Sequence, residues 1–385
     1  MATPTPEFSI VIITKNEEET LPRLLASLRP FLDAGGEFIV TDTGSTDRTR
    51  KIAYEGGAVV TEITATSVVG PEVAAEINSR FQVLPDAPVV MPGERYFDFA
   101  LARNRADGFA HHDNIGICAA DEVFTALDIE KINEAFKHTE QLEHAYVFAH
   151  DSQGRPELSF TRNYFYNRRN FRWNGIVHEV LKGSGRIDKL PEDALKVEHW
   201  QNQKTGRGQY LTGLAFDCFL SPEKDRQSHY FARELFYTGR YHSAIQEFRR
   251  HEKMPTAWYA ERAQSCIFSG DCYARLGELQ AALGMYKKAL CIDGLRAEPF
   301  LRISQWYYDQ RRFAECVAFA SAALQCKPTG FYMENARDFR ETPHHLLYSA
   351  LYWMGDKRRA LDHWNRCLEF EPTNPVFLRD ALFFR

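Results

Sequence analysis

Phe8-Ser9-Ile10-Val11-Ile12-Ile13-Thr14, followed by Lys15-Asn16-Glu17-Glu18-Glu19, and Glu37-Phe38-Ile39-Val40-Thr41, followed by Asp42-Thr43-Gly44-Ser45-Thr46-Asp47, decide the fold of the first part of the chain. Each is a short apolar, β-rich run that stops at a polar, acidic tip, which predicts a buried strand. Between them, Glu17–Leu32 carries Leu21, Leu24, Leu25 and Leu28 at helical spacing, and Thr46–Gly56 reads as a short helix. Strands separated by helices form βαβ units, so residues 8 to about 125 predict a largely parallel sheet with ligands beyond the carboxyl ends of its strands.

The tips are chemically apt. A carboxylate at a strand end can accept from a base or ribose, while backbone N–H groups at Gly44-Ser45 face phosphate oxygens. The structural alternative is that Asn16 and Ser45 cap helices and that Glu17 to Glu19 complement a helix dipole. Further on, Ile115-Gly116-Ile117-Cys118-Ala119-Ala120-Asp121-Glu122 reads as a strand ending in two acids. There a divalent cation can bridge protein and diphosphate, with Arg103 of the Phe97–Asn104 segment as a second positive charge.

From about residue 225 the period changes. Gly239-x-Tyr241-x2-Ala244-x3-Phe248 recurs from Gly277, more loosely from Arg311 and again from Gly355, at spacings of 38, 34 and 44 residues. Such a period predicts tetratricopeptide-like helix hairpins, with a turn glycine and a small residue where helices approach closely. Pro299, Pro328 and Pro372 follow the second helices.

The 385 residues leave room for two or three domains, and 44% hydrophobic with 26% charged residues is ordinary globular usage, which excludes disorder, collagen, coiled coil and mucin. A net charge of -5 offers no general attraction to a polyanion, so nucleic acid is not a favoured partner. The first six residues lack the basic start and apolar core of a signal peptide, and no window approaches the roughly 20 apolar residues of a membrane span. The eight cysteines form no CxxC pair and read as free thiols. The expectation is a soluble, cytoplasmic protein.

In their order, "TKNEEE", "DTGSTDRT", "FALARN", "AADE" and "WNGIVHEVL" (Trp173 to Leu181) resemble a family 2 glycosyltransferase of the GT-A fold. The resemblance implies an α/β GT-A domain, Rossmann-like with a mostly parallel sheet, over residues 1–215, then an all-α tetratricopeptide-like repeat domain over 216–385. That arrangement is similar to the bacteriocin S-glycosyltransferases. The implied activity is inverting, metal-dependent hexosyl transfer from a UDP-sugar. Thr14, Asn16, Glu17, Asp42, Gly44, Ser45, Arg103, Asn104 and Ala120 would border the donor. Asp121 and His199 would ligate manganese or magnesium, and Glu179 would take the acceptor proton. The repeats point to a peptide or protein acceptor and suit homodimerisation equally well. A polysaccharide, a lipid-linked glycan and a modified DNA base remain as other acceptors.

Three features stand apart from this pattern. Ala119 occupies the position of the first acid of the usual Asp-x-Asp, which leaves open a dispensable acid with Glu122 or water assisting, an engineered inactivating replacement, or a natural non-catalytic scaffold that retains the fold. An insertion of about residues 61–96, helical at Glu72–Phe81, is read either as a cover over the donor or acceptor or as a surface excursion. The run Thr161–Trp173, rich in arginine and aromatics, reads as an amphipathic hairpin, with a role for Arg168 or Arg172 near the leaving group as an addition.

Overall fold

The computed structural model describes residues 4–150, 154–200 and 210–384. Two compact units form: residues 1–70 with 92–217, and residues 71–91 with 218–385.

In chain order the first unit begins β1 (Ser9–Thr14), α1 (Leu21–Ser27), α2 (Arg29–Asp33), β2 (Glu37–Asp42), α3 (Thr49–Glu55), β3 (Val59–Glu62) and β4 (Thr66–Val68). The helix α4 (Pro71–Phe81) belongs to the second unit. The first unit resumes with β5 (Arg95–Phe97), α5 (Phe99–Asp107), β6 (Asn114–Ile117), β7 (Glu122–Leu127), α6 (Ile129–Phe136), β8 (Gln141–His150), β9 (Pro156–Asn167), β10 (Phe171–Asn174), β11 (Val180–Gly183), β12 (Ile187–Lys189) and β13 (Leu195–His199). The chain passes into the second unit within α7 (Tyr210–Leu220).

The main sheet runs β3-β2-β1-β6-β9-β8-β13-β7, with β12 added on β8. Its β3-β2-β1-β6 part is parallel, whereas β9 runs antiparallel to β6 and β8, and β7 antiparallel to β13, so the whole is mixed. Alternation along β1 and β2 explains the two cores. Ile10, Ile12, Phe38 and Val40 pack under Leu21 and Leu24 of α1 and Ala53 of α3, while Val11 and Ile39 face Ala100 and Ala106 of α5. Each fully buried Ile or Val contributes about 1.5–3 kcal/mol.

Several expected boundaries move. The stretch 17–32 becomes two short helices sharing Leu28, with Pro22 and Pro30 in their first turns, and the helix expected from Thr46 starts at Thr49. The strand expected to end in Asp121-Glu122 stops at Ile117; Ala119 to Asp121 form a turn, closed by Glu122 N–H to Ala119 O at 3.1 Å, and Glu122 opens β7. The expected 161–173 hairpin does not form. Phe165 and Tyr166 are both fully buried on opposite faces, which makes β9 a strand covered on both sides, and β10 pairs instead with β11.

The second unit stacks α8 (Asp225–Tyr237) with α9 (Tyr241–Glu252), α10 (Tyr259–Arg275) with α11 (Leu279–Ile292), α12 (Ala297–Asp309) with α13 (Phe313–Ala323), and α14 (Glu341–Trp353) with α15 (Lys357–Phe370), then α16 (Pro375–Asp380). At the turns Gly239, Gly277 and Gly355 take positive φ (76°, 81° and 85°), and Arg311 adopts the same left-handed backbone at 55°. Ala244, Ala282, Cys316 and Ala360 are all fully buried at the equivalent positions. Cys316 thus fills the small-residue site that the third repeat lacks on paper. The insertion helix α4 packs in this unit: Phe81 meets Phe231 edge-on at 5.0 Å, and Asp86 accepts from the Ser243 N–H at 2.7 Å. Six of the eight cysteines are buried free thiols; Cys291 is exposed and Cys326 partly so.

Candidate active site

The tips of β1 and β2 are tied together. Register places Thr14 beside Asp42, and Thr43 N–H bonds Thr14 O at 2.9 Å. Oδ1 of Asp42 accepts from the N–H groups of Gly44 and Ser45, both at 2.9 Å, in a turn that needs Gly44 at φ 108°. Asn16, at φ 57°, donates its N–H to Ser45 Oγ and accepts from Thr46 N–H, at 2.9 and 2.8 Å. Glu17 N–H reaches Thr49 Oγ1 at 2.7 Å, while its carboxylate accepts from Thr20 Oγ1 at 2.6 Å. Asn16 and Ser45 therefore cross-link two loops and cap neither α1 nor α3, whose flanking residues are Thr20 and Arg48.

Two oxygens in this frame are unmatched. Asp42 is 1% exposed and Thr14 3%, yet Oδ2 of Asp42 and Oγ1 of Thr14 are buried with no hydrogen-bond partner among the described residues. Unmatched buried oxygens on adjacent strand ends are costly unless a ligand donates to them, and a nucleoside carries such donors.

Asp121 sits in the turn after β6, beside β1. Because β13 runs antiparallel to β7 with His199 opposite Glu122, His199 Nε2 comes to 3.1 Å from Asp121 Oδ2 across 78 residues of chain. The other ring nitrogen faces Phe148 O at 3.2 Å, and the ring stacks on Phe148. Trp200 N–H pins Asp121 O at 2.9 Å. The bond to Asp121 makes His199 more basic than a free imidazole. One carboxylate and one oriented imidazole suit a divalent cation whose other ligands are phosphate and water. Among the described residues no set of three His, Cys, Asp or Glu side chains is grouped as metal ligands.

Glu122 is directed elsewhere. Its carboxylate accepts from Ala119 N–H at 2.9 Å, from Tyr146 hydroxyl at 2.8 Å and from Arg162, so it braces the turn from inside. Ala120 turns its methyl into the core. The guanidinium of Arg162 lies 4.4 Å from the Tyr146 ring and 3.8 Å from that of Tyr164, and Tyr164 meets Trp173 edge-on at 5.0 Å.

That aromatic path reaches Glu179. Arg103 lies 4.9 Å over Trp173 and donates Nε to Glu179 Oε1 at 2.6 Å, both side chains mostly buried. Burial disfavours the Arg103 charge, but Glu179 more than offsets this, and the shift is upward. Asn104 uses both ends of its amide on Trp173, accepting from N–H at 3.0 Å and donating to O at 2.9 Å, so it positions β10. The loop that presents Glu179 is held by Asp217, whose Oδ2 accepts from Ile176 N–H at 2.7 Å and Val177 N–H at 3.2 Å. Arg168 braces the stretch after α5, donating to Ala110 O at 3.0 Å and to Asp113 at 3.1 Å, and Arg172 is exposed on β10. Arg162 and Asp217 escaped sequence reasoning: one sat in a run read as a hairpin, the other just past the expected domain limit.

With this geometry in place, residues 9–59 match the family model for glycosyl transferase family 2. That match, together with the helix hairpins of the second unit, supports the arrangement of a family 2 glycosyl transferase domain followed by tetratricopeptide-like repeats. A TPR repeat-containing protein of Synechococcus elongatus is 28% identical over 194 residues, 50% of this chain and 40% of that relative's length. The matched part thus spans less than half of the curated relative. Among solved structures, MamA matches 43% of this chain and 88% of its own at 15% identity and TM-score 0.36. Pseudomonas aeruginosa pilF covers 44% and 72% at 14% identity and TM-score 0.37. No described helix is long and apolar enough to cross a membrane.

Proposed function

We propose that the first unit binds a UDP-sugar at the β1–β2–β6 edge and transfers its sugar, with inversion, to a nucleophile on a polypeptide. The observation that carries this is the convergence of Asp121 and His199 at 3.1 Å on the sheet edge where Thr14 and Asp42 leave buried oxygens unmatched among the described residues.

In this reading Asp42 and Thr14 receive donors of the nucleoside, and the Gly44–Ser45 turn borders it. Asp121 and His199 would hold manganese or magnesium, which supplies positive charge for the departing diphosphate. Arg103 holds one oxygen of Glu179, leaving the other to accept the acceptor proton as the nucleophile attacks the anomeric carbon. A single displacement of this kind inverts the carbon. The helix hairpins offer a continuous face, and a polypeptide is the acceptor class that suits it.

Calorimetry of UDP and a panel of UDP-sugars tests the reading. Manganese-dependent binding by the chain, lost in Asp121→Ala, is expected; no binding with or without metal would favour the rival that Ala119 suggests, a scaffold that keeps the fold without the chemistry.

A further inference from the structure

The fourth hairpin begins late. Its turn follows the third by 44 residues, against 38 and 34 for the earlier intervals, and the added length falls between α13 and α14. This segment lies against the protein. Phe331 is 5% exposed, with the Arg296 guanidinium 4.3 Å from its ring and the Trp258 ring at 5.4 Å. Tyr332 donates to Glu261 Oε1 at 2.8 Å; burial pushes its phenol upward, Tyr230 and Glu261 add to this, and Arg233 opposes it. Burial, then Glu298, push Asp338 up to about 6. Tyr230 and Arg233 are on α8, Glu261 on α10 and Glu298 on α12, the first helices of three successive hairpins. The segment therefore runs along the face those first helices build.

It is also closed on itself and imperfectly seated. Glu334 accepts from Thr329 N–H at 2.9 Å, Gly330 N–H at 3.0 Å and Thr329 Oγ1 at 2.8 Å, which ties 329–334 into a loop carrying the two aromatics. Tyr332 remains 52% exposed. Nearby on α8 the Arg233 guanidinium lies 5.0 Å over the Tyr230 ring, and its Nε and Nη1 are buried without an acceptor among the described residues. A seat with one deep anchor, one shallow contact and unmet cationic donors is only partly filled.

We propose that residues 327–340 are a tethered occupant of this helical face, and that a polypeptide presenting adjacent aromatic residues with an acid beside them exchanges with it, the acid meeting Arg233. The inference concerns the repeats alone and holds whatever the first unit catalyses.

The probe is a fluorescein-labelled synthetic peptide of residues 327–340, followed by anisotropy on the full chain, on the Phe331→Ala/Tyr332→Ala double variant and on that variant with Met333→Glu introduced into the peptide. The double variant should bind the peptide at least ten-fold more tightly than the unaltered chain, and the Glu-bearing peptide should gain affinity that Arg233→Gln removes. Equal binding by both chains, or none by a double variant that melts as cooperatively as the unaltered chain, overturns the tethered occupant; an Arg233→Gln change without effect overturns the acid's role. Should the double variant not fold, hydrogen exchange on the unaltered chain decides. The amides of Thr329, Gly330 and Glu334 should exchange through an opening well below global unfolding, and exchange only on global unfolding overturns the proposal.

Discussion

Nε of Arg103 lies 2.6 Å from Oε1 of Glu179, a mostly buried ion pair closed across 76 residues and stacked on Trp173. If Glu179 is the acceptor base, Glu179→Gln should lower transfer by about 100-fold or more while UDP affinity stays within a few-fold, read by transfer assay and calorimetry. Arg103→Ala should instead lower stability by about 3–5 kcal/mol in chemical denaturation, because it strands a buried carboxylate. Equal loss of UDP binding in both would assign the pair to the donor pocket.

Ala119 offers a sharper comparison. Its N–H is already held by Glu122, so the turn keeps its shape without an acid at 119. Ala119→Asp is expected to tighten manganese about ten-fold, roughly 1.4 kcal/mol, and Asp121→Ala to abolish metal binding. Unchanged affinity in Ala119→Asp would mean that the residue 119 side chain does not face the cation.

Arg311 holds a left-handed backbone at φ 55° where the other repeats use glycine. For a side-chain-bearing residue that conformation costs about 1–2 kcal/mol, so Arg311→Gly should raise the thermal midpoint, its gain reduced by glycine's greater freedom when unfolded. Gly277→Ala should lower the midpoint; a rise would show the turns to be unstrained.

His251 is fully buried, bonded to Ser265 Oγ at 2.8 Å, and burial pulls its imidazole down to about 4. The unfolded chain takes up this proton below about pH 6.5 and the folded chain only near pH 4, so stability is full above 6.5 and falls as pH drops through that window. The slope contributed is about 1.4 kcal/mol per pH unit. Denaturation of His251→Gln at pH 5 and pH 7 should show a pH dependence smaller by about 2 kcal/mol, while Asp338, pushed up to about 6 by burial, leaves an opposing slope in both chains. An identical pH dependence in the two chains would show that His251 is not held neutral.

The regular elements were legible because period alone encodes them. The runs 8–14 and 37–41 alternate sides and become β1 and β2, and the motif recurring from Gly239, Gly277, Arg311 and Gly355 becomes the turns of four helix hairpins. Asp42 and Asp121 stood out because an acid at the end of an apolar run has no packing reason to be there. The direction of Glu122 was not legible, because its partners, Arg162 and Tyr146, are distant residues that turn it inward.

By itself the sequence determined the parallel β1–β2–β6 edge, the acids at its tips and the helical period of the repeats, since each rests on residues a few positions apart. Only the tertiary structure decided which distant groups meet. The β13 register brings His199 to Asp121, and Asp217 in α7 holds the loop of Glu179. Likewise the insertion helix α4 joins the repeat unit, and 327–340 folds along the first helices. Such pairings depend on strand register and on which buried polar atoms find partners, and both are set by the packing of the whole unit.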